Sequence, residues 1–278
     1  MMQKIDSQQR IVIVVGASGL IGQKIVPVFQ NTGCTVVRVS SRPQEFCFAS
    51  LDAALRSVRD VHSEKNVVYL NYVQNPLANL FKIFEACRSA REQHASSFFY
   101  FSTFAHNPSF CGIKKASAWP RFRSIVTFYN VNKFLAEFAF IFLAKFLLPR
   151  ALRAFVVCPG FVIGKDMIWP KMIRDLMKSK EIVCPPLQRR LPVIDAEELG
   201  QHILECLKLP AVASATVAVK FERVMSIREL IKHSVAGIEL PWPKIIEQDE
   251  PASSQDGVKC FPREIFYFSK RLFSKNGH

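Results

Sequence analysis

Ile11-Val12-Ile13-Val14-Val15-Gly16-Ala17-Ser18-Gly19-Leu20-Ile21-Gly22 is the stretch whose reading decides the fold. Five consecutive β-branched residues make a strand that is apolar on both sides, as strands inside a parallel sheet are. Gly16, Gly19 and Gly22 follow at once, and a helical pattern runs on to about Asn31. The first glycine permits a tight turn, the second lets backbone approach a ligand, and the third lets helix and strand pack closely. The free N–H groups at the helix start are then available to phosphate oxygens. This is the context of a dinucleotide-binding turn, and Gly16, Ser18, Gly19, Leu20, Ile21 and Gly22 are its candidate cofactor contacts. A mononucleotide P-loop is excluded, because it needs lysine directly after its last glycine and Gln23 stands there.

Outward from this turn, strands and helices alternate. Residues 35–40, 67–70, 98–102 and 152–157 read as strands, and 51–61, 77–94 and 129–148 as helices. Such alternation predicts right-handed βαβ units and an α/β, doubly wound parallel sheet, a Rossmann fold. Beyond Gly164 the pattern loosens. Residues 194–207 read as a helix and 216–221 as a strand, and Ser226-Ile227-Arg228-Glu229 reads as a capping box opening a short helix. The expected domains are a dinucleotide-binding domain over 1–164 and a small irregular lobe over 165–278, with late elements returning to the main sheet.

Composition narrows the class. With 278 residues, 49% hydrophobic and 22% charged, the chain can bury a sizeable core and is not a disordered one. Phenylalanine is the outlier at 24. The net charge of +14 sets up a field that attracts anionic cofactors or lipids. The basic residues are scattered, so nucleic acid is disfavoured as a partner. This charge balance suits an organellar protein, with the mitochondrion or otherwise the cytoplasm as the expected compartment. The eight cysteines form no C-x-x-C pair and no zinc spacing, which predicts a reducing compartment and no metal. Residues 134–148 are apolar, but Glu137 and Lys145 leave only seven uncharged residues between them. A membrane span needs about 20, so a buried or interface helix is expected instead.

Two further segments carry chemistry. The second strand ends in Ser40-Ser41-Arg42, with no acid before Glu45 to take a ribose 2′-hydroxyl. A guanidinium beside hydroxyls suits a 2′-phosphate, so Ser41 and Arg42 favour NADP(H) over NAD(H). The second segment is Tyr129-Asn130-Val131-Asn132-Lys133, which puts phenol and ammonium one helical turn apart on one face. A neighbouring ammonium favours the ionised phenol, fitting tyrosine for acid/base work near neutral pH. Ser102 and Thr103 end the preceding strand, where hydroxyls can orient a carbonyl.

Taken together, these residues resemble the extended or atypical short-chain dehydrogenases/reductases, in the NAD-dependent epimerase/dehydratase group. The G-x-x-G-x-x-G spacing, Phe101-Ser102-Thr103, and Tyr129 to Glu137 as Y-x-x-x-K-x-x-x-E match that group's motifs. Cys158-Pro159-Gly160 to Gly164 is similar to its R-P-G-x-x-x-G loop, and Leu191 to Asp195 to the segment leading its late helix back to the sheet. The resemblance covers about residues 11–235. It implies an NADP-dependent oxidoreductase or epimerase/dehydratase-like enzyme acting on a small carbonyl or alcohol. By the same resemblance Tyr129 is the proton donor or acceptor, Lys133 holds the nicotinamide ribose, and Thr103 or Ser102 polarises the carbonyl. Asn71 and Pro159 are added as cofactor contacts.

The departures keep a second reading open. Cys158 replaces the usual arginine, Asn71-Tyr72 replaces small residues lining the cofactor, and residues 45–50 hold no counterpart of the acidic adenine contact. The resemblance includes one structural member, the nucleotide-binding accessory subunit of respiratory complex I. A cofactor-holding subunit of a larger assembly, or a regulator binding NADP(H) without turnover, is therefore the alternative. The apolar segment 134–148 then suits a helix-pair homo-oligomer or another subunit. The basic, phenylalanine-rich tail 259–278 suits an anionic membrane surface or a partner groove.

Overall fold

The computed structural model describes residues 10–40, 47–102, 114–115, 119–149, 151–164, 167–209, 216–221, 223–239, 242–247 and 266–268. The first half runs β1 (Ile11–Val15), α1 (Leu20–Asn31), β2 (Thr35–Val39), β3 (Cys47–Phe48), α2 (Leu51–Ser57), β4 (Lys65–Tyr69), α3 (Pro76–Glu92), β5 (Ser97–Phe101), β6 (Lys114–Lys115), α4 (Trp119–Phe146) and β7 (Arg153–Pro159). The second runs β8 (Phe161–Ile163), α5 (Ile168–Met177), β9 (Glu181–Cys184), β10 (Arg190–Asp195), α6 (Ala196–Cys206), β11 (Thr216–Phe221), β12 (Arg223–Ser226), α7 (Ile227–Ser234), β13 (Lys244–Glu247) and β14 (Phe266–Phe268).

One eight-stranded sheet organises the molecule, in the order β14-β11-β7-β5-β4-β1-β2-β3. Its strands pair in parallel except β14, which adds antiparallel to β11. The expected doubly wound parallel sheet is thus what the chain forms. All five residues of β1 are buried, and they alternate between two cores. Ile11, Ile13 and Val15 face the layer of α2, α3 and α4, whereas Val12 and Val14 face α1 and α6. Each such side chain contributes roughly 1.5–3 kcal/mol on burial. Chain order reverses between β1 and β4, which opens a crevice at the carboxyl ends of these strands.

A smaller lobe holds two three-stranded sheets, β12-β10-β8 and β13-β9-β6, with α5 and α7 around a core of its own. The capping box at Ser226 forms with both reciprocal bonds. β11 pairs with β7 of the main sheet, and Gly200 lets α6 lie close against Val28 of α1.

Several boundaries differ from the sequence expectation. Residues 194–195 end a strand instead of opening a helix, because 191–194 are buried between β8 and β12, and Asp195 caps α6 through Glu197 N. The helix expected from Tyr129 begins ten residues earlier, at Trp119, with proline in its first turn, where proline's missing N–H costs nothing. In the tail, Phe266–Phe268 lie on the sheet edge as β14. No helix among the described residues is long and apolar enough to cross a membrane.

Candidate functional site

The glycine turn sits where the sheet's order reverses. Gly16 takes φ +88, and a Cβ there would press on Leu70 of the neighbouring strand end. A Cβ on Gly22 would overlap the Gly16 carbonyl oxygen and lie 2.7 Å from Ala17 Cα. The turn is therefore tight enough to bring α1 against its own strand. Gly19 is the N-cap of α1, which has no acid in its first turn, so its dipole and free N–H groups favour an anion.

A cleft of about 990 Å³ opens over this turn. Gly16, Ser18, Gly19 and Leu20 line its floor, and Ser40, Ser50 and Leu51 its far wall. Ser18 and Ser40 hydroxyls meet at 2.6 Å, tying the turn to the end of β2. Ser50 caps α2 by accepting from Ala53 N. On the other side the cleft reaches Asn71 and Tyr72, the residues beyond β4, and Lys82, Glu85 and Ser89 of α3. Ile21 and Gly22 fall behind the turn and do not line it.

Along the same edge, at the ends of β4 and β5, the described side chains pack closely. Helix α4 lies across an aromatic layer, with Phe140 at 5.0 Å from Tyr100 and 5.2 Å from Phe98, centre to centre. This layer directs the next turns of α4, Asn132 and Lys133, inward. Lys133 is only 5% exposed, and its ammonium donates to Phe101 O at 3.0 Å. Its nitrogen stands 5.2 Å from the Tyr72 ring centre and 5.8 Å from that of Tyr100. Burial pulls its pKa down from 10.5 to about 8, against the smaller upward pull of Cys158 and Glu137. Tyr129, half-buried, meets Tyr72 edge-on at 5.1 Å between ring centres. Ser102 is buried and its hydroxyl donates to the Glu137 carboxylate.

Asn132 locks this arrangement. It is 1% exposed, and its amide donates to Val73 O (3.1 Å), Gln74 O (3.0 Å) and the Tyr72 hydroxyl (3.3 Å). Its own oxygen accepts from Asn79 Nδ2 at 3.1 Å, while Asn79 Oδ1 accepts from Val73 N at 3.3 Å. Two asparagines from α3 and α4 thus clamp the loop carrying Tyr72. Burial raises the Tyr72 pKa, with Asn132 opposing, so the phenol stays neutral near pH 7.

The middle of α4 carries Tyr129, Lys133 and Glu137, and the last two bond the end of β5 at Phe101 and Ser102. Among the described residues, neither Tyr129, Lys133 nor Ser102 lines the cleft. Asn71 does, and its side chain bonds the Tyr69 phenol, which burial pushes up to about 12. Pro159 ends β7, further along the sheet and outside the cleft. Ser41, Arg42 and Thr103 lie outside the described residues. Arg38, two residues before Ser40, reaches Gln30 on α1 instead of the cleft. Sequence reasoning missed Asn79 and Asn132. Asn132 carries a signal, a polar residue on the inward face of an apolar helix, but Asn79 carries none.

Solved structures share this fold. MoeE5, in complex with UDP-glucose and NAD, superimposes with TM-score 0.60 at 15% identity, over 86% of this chain and 85% of that one. UDP-N-acetylglucosamine 4-epimerase from Bacillus cereus gives 0.60 at 12% identity, over 90% and 88%. The chain has the fold of the UDP-sugar epimerases. UDP-glucose 4-epimerase from Thermus thermophilus, in complex with NAD, gives 0.57 at 13% identity over 86% of each chain. No protein-family model and no curated protein sequence matches this chain. At these identities it is the epimerase fold that is shared, and the chemistry has to be read from the residues.

Proposed function

We propose that the protein is a nicotinamide-dinucleotide-dependent enzyme, an oxidoreductase or epimerase/dehydratase-like catalyst acting on a small carbonyl or alcohol. The observation that carries this reading is the Gly16–Gly22 turn, opening a cleft at the sheet's order reversal beside the Tyr129–Lys133 pair. The absence of side chains at Gly16 and Gly19 and the free start of α1 fit a pyrophosphate. Ser41-Arg42 favours NADP(H) over NAD(H), although MoeE5 and the Thermus thermophilus epimerase were solved with NAD. When bound, the nicotinamide gives or takes the hydride. The chain's part is proton handling: Tyr129 passes a proton to or from the substrate oxygen, with Lys133 stabilising the phenolate. Thr103 polarises that oxygen, or Ser102 does once its hydroxyl proton turns away from the Glu137 carboxylate that accepts it here. This chemistry requires the Tyr72 ring to leave the Tyr129–Lys133 pair.

One observation favours a second reading, a cofactor-holding subunit without turnover. Lys133 spends its ammonium on Phe101 O, and Tyr72 covers the pair. The test follows NADPH absorbance across a panel of carbonyl and alcohol substrates. Tyr129→Phe should leave NADPH affinity intact and lower turnover about a hundredfold, the scale of losing a positioned proton-transfer group. Tight NADPH binding with no oxidation by any substrate would leave the holding role standing and remove the enzyme.

A further inference from the structure

The two ends of the cleft are built differently. A dinucleotide seated by its pyrophosphate on the glycine turn spreads its nucleosides to opposite sides, one over β2 and β3, the other over β4 and β5. The first direction is open. Val39, Ala49 and Leu51 offer an apolar surface for a flat base, with Ser40 and Ser50 beside it. In the second direction stands Tyr72, at the edge of the cleft. Its ring is in edge contact with Tyr129 at 5.1 Å and stands 5.2 Å from the Lys133 nitrogen, and rings at such separations admit nothing between them.

That ring is braced. Tyr72 sits in a loop whose Val73 and Gln74 carbonyls, and whose Val73 N–H, are taken by Asn132 and Asn79. Both asparagines are almost fully buried, so swinging the loop out strips the Asn132 amide N–H groups and the Asn79 oxygen of their partners in the interior. An aromatic ring merely resting on a surface has no such restraint.

We propose that the cleft in its closed form takes a nucleoside diphosphate, and that Tyr72, held by Asn132 and Asn79, excludes the second nucleoside of a dinucleotide from the Tyr129–Lys133 pair. This rests on the dinucleotide reading of the turn and adds which half of the ligand the protein recognises first. Full dinucleotide binding then draws on a population with the loop displaced, and its apparent affinity is reduced by that fraction.

Calorimetric titration of the full chain tests this with ADP against NAD⁺, and with 2′-phospho-ADP against NADP⁺. In the parent protein each diphosphate should bind at least as tightly as its dinucleotide. Tyr72→Ala should tighten the dinucleotides tenfold or more and leave the diphosphates within twofold. Asn79→Ala, which frees the loop without touching the cleft, should shift the same ratio in the same direction. A parent that binds dinucleotide tenfold more tightly than diphosphate overturns the exclusion and keeps the dinucleotide reading. So does a ratio unmoved in both variants. If no nucleotide binds to the parent or to either variant, the dinucleotide reading falls and the exclusion with it.

Discussion

The two ends of one sheet edge are finished in opposite ways. Over β1 and β2 the chain withholds side chains: three glycines in seven residues leave backbone, hydroxyls and a cleft. Over β4 and β5 it supplies them in excess: Tyr72, Tyr100, Tyr129, Lys133 and Phe140 pack against one another. The strands beneath are all parallel, and β1, β4 and β5 are equally and fully buried, β2 only partly so. The difference therefore lies in the segment that leaves each strand, and the fold alone does not specify an open site.

The contrast breaks most violently at the glycine turn. Gly22→Val places methyl groups where even a Cβ overlaps the Gly16 carbonyl and approaches Ala17 Cα. These neighbours are backbone and cannot rotate away. A loss of about 3 kcal/mol, the upper range of overpacking, is expected, together with nucleotide binding. Chemical denaturation and titration with ADP check the two effects, and a variant of parental stability would show the turn to be looser than its spacing implies. Gly33→Ala is the control: its φ is also positive, +81, but nothing lies within 4 Å of the added methyl, so binding should survive.

The open end was legible in the sequence because its determinants are local. Ile11 to Gly22 encodes strand, turn and helix start in twelve adjacent residues. The closed end was legible only in part. Tyr129 and Lys133 stand out by spacing, and Tyr72 by its size at a position where small residues are usual, yet the clamp joins Asn79 to Asn132, 53 residues apart. Nothing local marks such a pair. The start of α4 was hidden in the same way, behind Trp119-Pro120, where proline reads equally as loop. The small lobe was least legible, since strands of three to six residues such as β8, β9 and β10 carry too little periodicity to declare themselves.

The closed end can also be probed by proton. Lys133 titrates near 8 in the folded chain and near 10.5 when unfolded, so between these values the unfolded state binds more protons. Stability then rises with pH through that window and falls again as pH drops through 8. The full difference is about 3 kcal/mol. Lys133→Met keeps the stem and removes the charge, so the extra rise between pH 8 and 10 should vanish, measured as urea midpoints of parent and variant at matched pH. Parallel curves for the two proteins would mean that Lys133 is solvated, and that this end of the edge is open after all.

The smallest effect separates the ring of Tyr72 from its hydroxyl. That hydroxyl accepts from Asn132 at 3.3 Å, while the same amide reaches Gln74 O at 3.0 Å and Val73 O at 3.1 Å. An N–H group bonds best near 2.9–3.0 Å, so the two carbonyls are the better acceptors and the phenol is the weakest partner. Losing it leaves no buried amide hydrogen stranded, and the phenol is partly exposed and can turn to water. Tyr72→Phe keeps the edge contact with Tyr129 and the face under the Lys133 nitrogen, both of which depend on the ring. The urea midpoint should therefore correspond to a change of less than about 0.5 kcal/mol, within the usual spread for surface substitutions. The ratio of diphosphate to dinucleotide affinity should stay at its parental value, in contrast to the shift expected for Tyr72→Ala. A Tyr72→Phe protein that opens to dinucleotide would place the latch in the hydroxyl bond, and the asparagine clamp would then hold the loop without closing the site.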